Sequence, residues 1–169
     1  GMAGDEKAGR AKDFAYAFDM AREAGLRITS HAGEWGGAQS VRETLDALRP
    51  ERLGHGVQAI ADPKLVNRLA EERVVLEVCP GSNVFLGVFP NWAAHPIKTL
   101  QDRGVIVTVS TDDPPFFHTN MRREYASLSK TFGWQQDDFR ALNRAAAEAA
   151  FCDETTRARV LKQLEPADD

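Results

Sequence analysis

Four short strand-like runs, "LRITSH" (26–31), "ERLGHG" (51–56), "RVVLEVCP" (73–80) and "VIVTVS" (105–110), recur along the chain with a helical stretch between each pair. That alternation constrains the fold more than any other feature. A strand followed by a helix returns the chain to the same end of the sheet, so successive strands pair in parallel. The helical stretches carry their own punctuation. Phe14, Phe18 and Ala21 share one face of a helix expected over 5–25, with Gly25 as its cap. Val41, Leu45 and Leu48 mark a second helix closed by Pro50, and Asp62-Pro63 opens a third, with the acid as N-cap and proline at the first helical position. A fourth is expected from Trp92 to Arg103, ended by Gly104. Beyond 118 the strands stop and three helical stretches follow, near 119–132, 137–151 and 154–164, a helical extension over 119–169 expected to pack on the rest of a single domain spanning 1–169. The run 73–80 is nearly continuous in apolar character and predicts a strand covered on both faces.

Two architectures suit this rhythm, an open doubly wound sheet and a (β/α)8 barrel. "EWGGAQS" lacks the spacing of a phosphate-binding G-x-G-x-x-G, which weakens the dinucleotide-binding version. A barrel needs eight strands and about 250 residues, so the four strands here amount to half of one.

Titratable residues gather where such folds do chemistry, at the carboxyl ends of the strands. His31 ends the first strand, His55 the second, and the adjacent acids Asp112 and Asp113 the fourth; Glu34 follows His31 by three residues. Histidine and aspartate are good zinc ligands, and a catalytic zinc keeps one position for a water whose pKa it lowers. Each residue alone has a structural explanation: a loop histidine, a histidine tolerating unusual backbone between Gly54 and Gly56, a turn before Pro114. Together, at one end of successive strands, they indicate a shared site. His95, before Pro96, reads as a helix-start residue, and His118 as packing in an aromatic loop. Phe85, Phe89, Trp92, Phe116 and Phe117 read mainly as core, with a pocket wall for a flat ligand as the alternative.

Composition narrows the partners. With 43% hydrophobic and 27% charged residues and a net charge of −4 spread along the chain, no basic face suggests a nucleic-acid polymer, so the expected ligand is a small molecule. The N-terminal stretch has no apolar run of signal or membrane-anchor type. Cys79 and Cys152 form no C-x-x-C pair and read as reduced thiols of a cytoplasmic protein.

In this order and spacing, "SHAGE", "RLGHGV", "LEVCPGSN" and "STDDP" resemble the adenosine deaminase family of metal-dependent amidohydrolases. "MAGDE" resembles the family's loop after the fourth barrel strand, so the resemblance implies the carboxy-terminal half of a (β/α)8 TIM-type barrel, strands five to eight. It also implies roles. His31 and Asp112 would be ligands of a Zn2+ ion, and Glu34 would protonate N1 of a purine. His55 would orient the attacking hydroxide and act as its base. Asp113 would bind the purine at N7, and Gly4 would offer its backbone N–H to N3. The implied reaction is adenosine to inosine plus ammonia. Gly54 before His55 favours the nucleoside over free adenine, with adenine or another aminopurine as the alternative.

The family's H-x-H zinc pair is absent, since the four histidines are 31, 55, 95 and 118. The chain alone is therefore expected to bind zinc weakly and to be inactive. Its sheet is expected to expose two strand edges and an apolar barrel interior, covered by a complementary N-terminal half or a second copy. A half-barrel that binds without catalysing is the reading of another class.

Overall fold

The computed structural model describes residues 1–165. Its four strands are β1 (Thr29–Ala32), β2 (Arg52–His55), β3 (Val75–Val78) and β4 (Ile106–Val109). All pair in parallel, in the order β1-β2-β3-β4. Sequential order with every neighbour parallel is barrel topology, each crossover advancing one strand in the same sense. Met2 makes a parallel bridge to Ser30, so the first residues lie along the free edge of β1.

The crossovers carry α1 (Ala15–Glu23), α2 (Gly37–Leu48), α3 (Pro63–Glu71), α4 (Pro80–Phe85) and α5 (Ile97–Asp102), and after β4 come α6 (Pro114–Phe117), α7 (Met121–Phe132), α8 (Gln136–Ala149) and α9 (Glu154–Gln163). Asp62 caps α3 as expected, its Oδ1 accepting the backbone N–H groups of Lys64 and Leu65. Two stretches depart from the expectation. Residues 5–10 are loop, and the helix expected from Asp5 begins as a 3-10 turn at Ala11 and becomes α-helical only at Ala15. Pro96, which lacks an N–H, splits the helix expected over 92–103 into a 3-10 turn at Trp92–Ala94 and α5. The short helices α4 and α6 both open on prolines, α4 two residues past Val78 at the end of β3 and α6 five residues past Val109 at the end of β4.

The core lies between the outer face of the sheet and the helices. Leu53, Leu76, Val78 and Val107 meet Val41, Leu45, Leu65, Leu69, Ile97 and Leu100 there, and Leu128 of α7, Leu142 of α8 and Trp134 from the link between them join the same cluster. Phe89 and Trp92 pack against it, whereas Phe85 and Phe116 are exposed. No helix among the described residues is long and apolar enough to cross a membrane.

The other face of the sheet corrects the expected apolar interior in part, while β3 is covered on both faces as expected, with Val75 buried and Glu77 half-buried on this side. Alternation and the pairing register place Thr29, His31, Arg52, Gly54, Val75, Glu77, Ile106 and Thr108 there, with Val75 and Ile106 the two large apolar side chains. Thr29 Oγ1 donates to Glu77 Oε2 at 2.8 Å, and Arg52 Nε lies 3.3 Å from Glu77 Oε1. The Arg52 guanidinium sits over the Phe151 ring, 3.5 Å from its centroid. This inner face is chiefly polar because its side chains pair with one another across strands rather than packing as hydrocarbon.

Candidate active site

The strand ends converge. His31 closes β1, and a tight loop after it carries Glu34 back beneath the ring, with His31 Nε2 3.4 Å from Glu34 Oε2. His55 closes β2, its ring centroid 4.7 Å from that of His31, and its Nδ1 lies 3.6 Å from Glu34 Oε1. Asp112, just past β4, brings Oδ2 to 3.8 Å from His55 Nε2. Of the expected site residues, these four form one cluster.

Backbone conformation aims them. His55 and Asp112 both have positive φ, 61° and 60°, a region that costs a non-glycine residue about 1–3 kcal/mol and that concentrates at functional sites. The neighbouring Gly56 also has positive φ, and a Cβ there would meet Leu76 Cδ2 at 2.5 Å. At Gly33 a Cβ would meet Val41 Cγ2 at 2.2 Å, so glycine lets the His31–Glu34 loop lie directly on α2.

A residue missed at the sequence level holds that loop. The carboxylate of Glu6 accepts backbone N–H groups from Gly33, Glu34, Trp35 and Gly36, together with the Ser40 hydroxyl. Burial works against its charge, but these donors outweigh it and hold Glu6 below the ordinary carboxylate range. The only signal was an acid in "MAGDE", with nothing local to show its partners.

Two more missed residues lie beneath His55. Asn83, fully buried, donates from Nδ2 to Glu34 Oε1 at 3.1 Å and to His55 Nδ1 at 3.2 Å. Its Oδ1 faces His95 Nε2 at 3.2 Å, and His95 Nδ1 accepts the Ile97 backbone N–H. His95 does lie just before α5, ahead of its N-cap Pro96, as expected, yet it is also part of the site's support, which a helix-start role did not foresee. Ser82 donates to Asp112 Oδ2 at 2.7 Å.

Asp113 and Gly4 stand apart from the cluster. Asp113 is exposed at the start of α6. Gly4 lines a separate cavity of about 500 Å³ formed by residues 2–11 and α2, which His31 also borders. His118, exposed and with positive φ, lies with its ring centroid 6.3 Å from that of Phe85.

The electrostatics are those of an ionised acid between two imidazoles. Burial pushes Glu34 up, but His31 and His55 outweigh it and hold the carboxyl below its ordinary value. The Glu34 carboxylate raises His31 despite the ring's burial. Burial, reinforced by the His31 ring, lowers His55. Deep burial drives His95 down to about 3, so it is neutral at physiological pH. Cys79, buried beside Asp112, has its thiol pushed well up by burial and stays protonated.

The donor set fits zinc in part. His31 Nε2 is buried without a hydrogen-bond partner, as a ligand atom would be. Donor atoms of His31, Glu34 and His55 lie within 4.8 Å of one another, as do those of His55, Cys79 and Asp112. Neutral histidine and carboxylate are ordinary zinc ligands, but His31 and Asp112 supply only two, where catalytic sites usually have three protein ligands.

A family model described as adenosine deaminase matches residues 1–167. The chain belongs to the adenosine deaminase family. Within the family, it is 57% identical over 163 residues to an adenine deaminase from Rhizobium rhizogenes, covering 96% of this chain and 51% of that protein. The crystal structure of an adenine deaminase from Arthrobacter aurescens superposes with a TM-score of 0.91 at 32% identity, covering 96% of this chain and 50% of that one. An amidohydrolase from Burkholderia ambifaria, crystallised with bound Zn, gives 0.83 at 28% identity, covering 96% and 46%. The chain thus spans about half the length of the relatives it matches, as half of a TIM-type barrel, and it belongs to a family of hydrolytic deaminases.

Proposed function

We propose that the whole protein hydrolyses the exocyclic C–N bond of adenine, giving hypoxanthine and ammonia. The free base replaces the adenosine expected from Gly54, because the similar relatives are named adenine deaminases. Gly54 also has no steric reason to exclude a side chain, since a Cβ there would reach only ordinary contact with His31 at 3.4 Å. The observation that carries a hydrolytic reading is the convergence of His31, Glu34, His55 and Asp112 at one end of the sheet.

His31 and Asp112 would hold zinc, together with ligands outside this chain. Bound zinc would bring a water's pKa toward neutrality and so supply the nucleophile. Glu34 lies between both imidazoles and accepts from Asn83, which fixes its carboxylate in a single orientation. From there the ionised carboxylate would accept a proton from the attacking water and deliver it to ring N1 as C6 is attacked, so that charge does not build on the ring. Ser82 holds the Asp112 carboxylate in place. Gly4 and Asp113 are assigned to the purine at N3 and N7, and the complementary half of the barrel to the polar inner face of the sheet. Unpaired Cys79 and Cys152 support a reducing, cytoplasmic setting.

The test compares adenine and adenosine as substrates for the zinc-loaded, full-length protein, with ammonia release as the readout. Faster turnover of adenine is expected; turnover of adenosine alone would return the reading to the nucleoside.

A further inference from the structure

The proton inventory of the buried Asn83–His95 pair has one consistent solution. The Ile97 backbone N–H is an obligate donor and points at His95 Nδ1 from 3.2 Å, so that nitrogen carries a lone pair. Neutral His95 then bears its proton on Nε2 and donates it across 3.2 Å to Asn83. The Asn83 atom that receives it is therefore the oxygen, and the amide cannot be flipped. Its NH2 group is left facing Glu34 Oε1 and His55 Nδ1, and a carboxylate oxygen at 3.1 Å independently requires a donor there. Both N–H bonds of the amide are used. His55 Nδ1 faces a donor and must itself be a lone pair, so the ring's single proton sits on Nε2, on the side of Asp112 Oδ2.

We propose that Asn83, oriented by His95, is a positioning residue that locks His55 as a neutral ring with its proton on Nε2. The consequence rests on the deaminase reading of the site. His55 then faces the reacting oxygen as a hydrogen-bond donor that orients it, and not as the base that removes its proton. Glu34, whose second oxygen is free of Asn83, is left as the proton carrier.

The chain His95–Asn83–His55 is buried at every member, with exposures of 2%, 0% and 5%. Asn83, at 0%, presents no surface through which water could replace a lost donor. Partners that set the ring orientation and tautomer of a site histidine typically change activity about 10–100-fold when removed.

The experiment uses full-length protein labelled with 15N in its imidazole rings, both metal-free and zinc-loaded, and reads the His55 tautomer from long-range 1H–15N correlations. The His55 signals are identified by their absence from H55Q. A lone-pair Nδ1 and a protonated Nε2 are expected at neutral pH; a protonated Nδ1 in the unmodified protein overturns the proposal without any variant. H95Q can still donate to Asn83 Oδ1 and should keep the tautomer. N83D, whose carboxylate offers His55 Nδ1 only acceptors, should draw the proton to that nitrogen, with kcat about 10–100-fold lower and KM little changed. If N83D does not fold, N83L serves instead, since it leaves His55 Nδ1 without a donor and free to give a proton to Glu34 Oε1, 3.6 Å away. Retention of the original tautomer and kcat in whichever of these variants folds overturns the lock. The expected tautomer in a protein that releases no ammonia from any aminopurine would leave the lock standing and remove the deaminase reading instead.

Discussion

Replacing Glu6 by alanine tests whether one distant carboxylate holds the loop that carries His31 and Glu34. Four backbone N–H groups and the Ser40 hydroxyl lose their acceptor in the variant. The Trp35 and Gly36 amides are exposed and can turn to water, so their loss costs little. Gly33 and Glu34 are buried, and each stranded N–H costs about 1–3 kcal/mol. A loss of about 3 kcal/mol local to the loop follows, or roughly a hundredfold faster amide exchange. Hydrogen exchange read by mass spectrometry on peptides covering 31–40 of the full-length protein measures it directly. Protection of α3 and β3, which Glu6 does not touch, should be unchanged. The unmodified protein should lose the same protection in acid. Glu6 is held below its ordinary value, so its contribution is complete above about pH 4.5 and disappears as the pH falls through the folded-state pKa. Exchange over 31–40 within about threefold of the unmodified protein would refute the clamp.

Glu124 is fully buried, accepts from Gly81 N–H and the Thr119 hydroxyl, and is raised by burial. The folded state therefore holds its proton more tightly, so stability falls as the pH rises through the folded pKa; E124Q should melt higher than the unmodified protein at pH 8, with the gap closing in acid. S82A removes the hydroxyl from Asp112 and should weaken zinc binding about 10–100-fold by equilibrium dialysis, with an unchanged melting curve for the metal-free form. G56A combines a positive-φ position with a 2.5 Å clash against Leu76 and should cost roughly 2–4 kcal/mol in urea unfolding.

What could be read along the chain was what depends on neighbours in sequence. The strands, their shared end, and the Asp62-Pro63 helix start all follow from local periodicity and capping. His31, His55 and Asp112 were legible because parallel topology sends every strand's carboxyl end to the same side. What escaped depends on contacts closed only by folding. Glu6 finds its amides 27 to 30 residues away, and Asn83 reaches His55 across 28 and Glu34 across 49. Residues 5–10 suggested helix by composition, yet their backbone is shaped by the need to deliver Glu6 to the β1 loop. His95 looked like punctuation before Pro96, and only its partner on α4 shows its second task. The inner face misled for a related reason: Glu77 sits in an apolar run, and its partners Thr29 and Arg52 come from two other strands.

In the proposed function the strand-end cluster is one part of a zinc-dependent aminopurine deaminase site. The most direct measurement is ammonia release from adenine by the full-length, zinc-loaded protein beside its H31N and D112N variants, with zinc content determined on the same samples. Turnover that scales with bound zinc, and the loss of both in the two variants, is the expected result. Undiminished turnover in either variant, or stoichiometric zinc in the unmodified protein with no ammonia from any aminopurine, would contradict it.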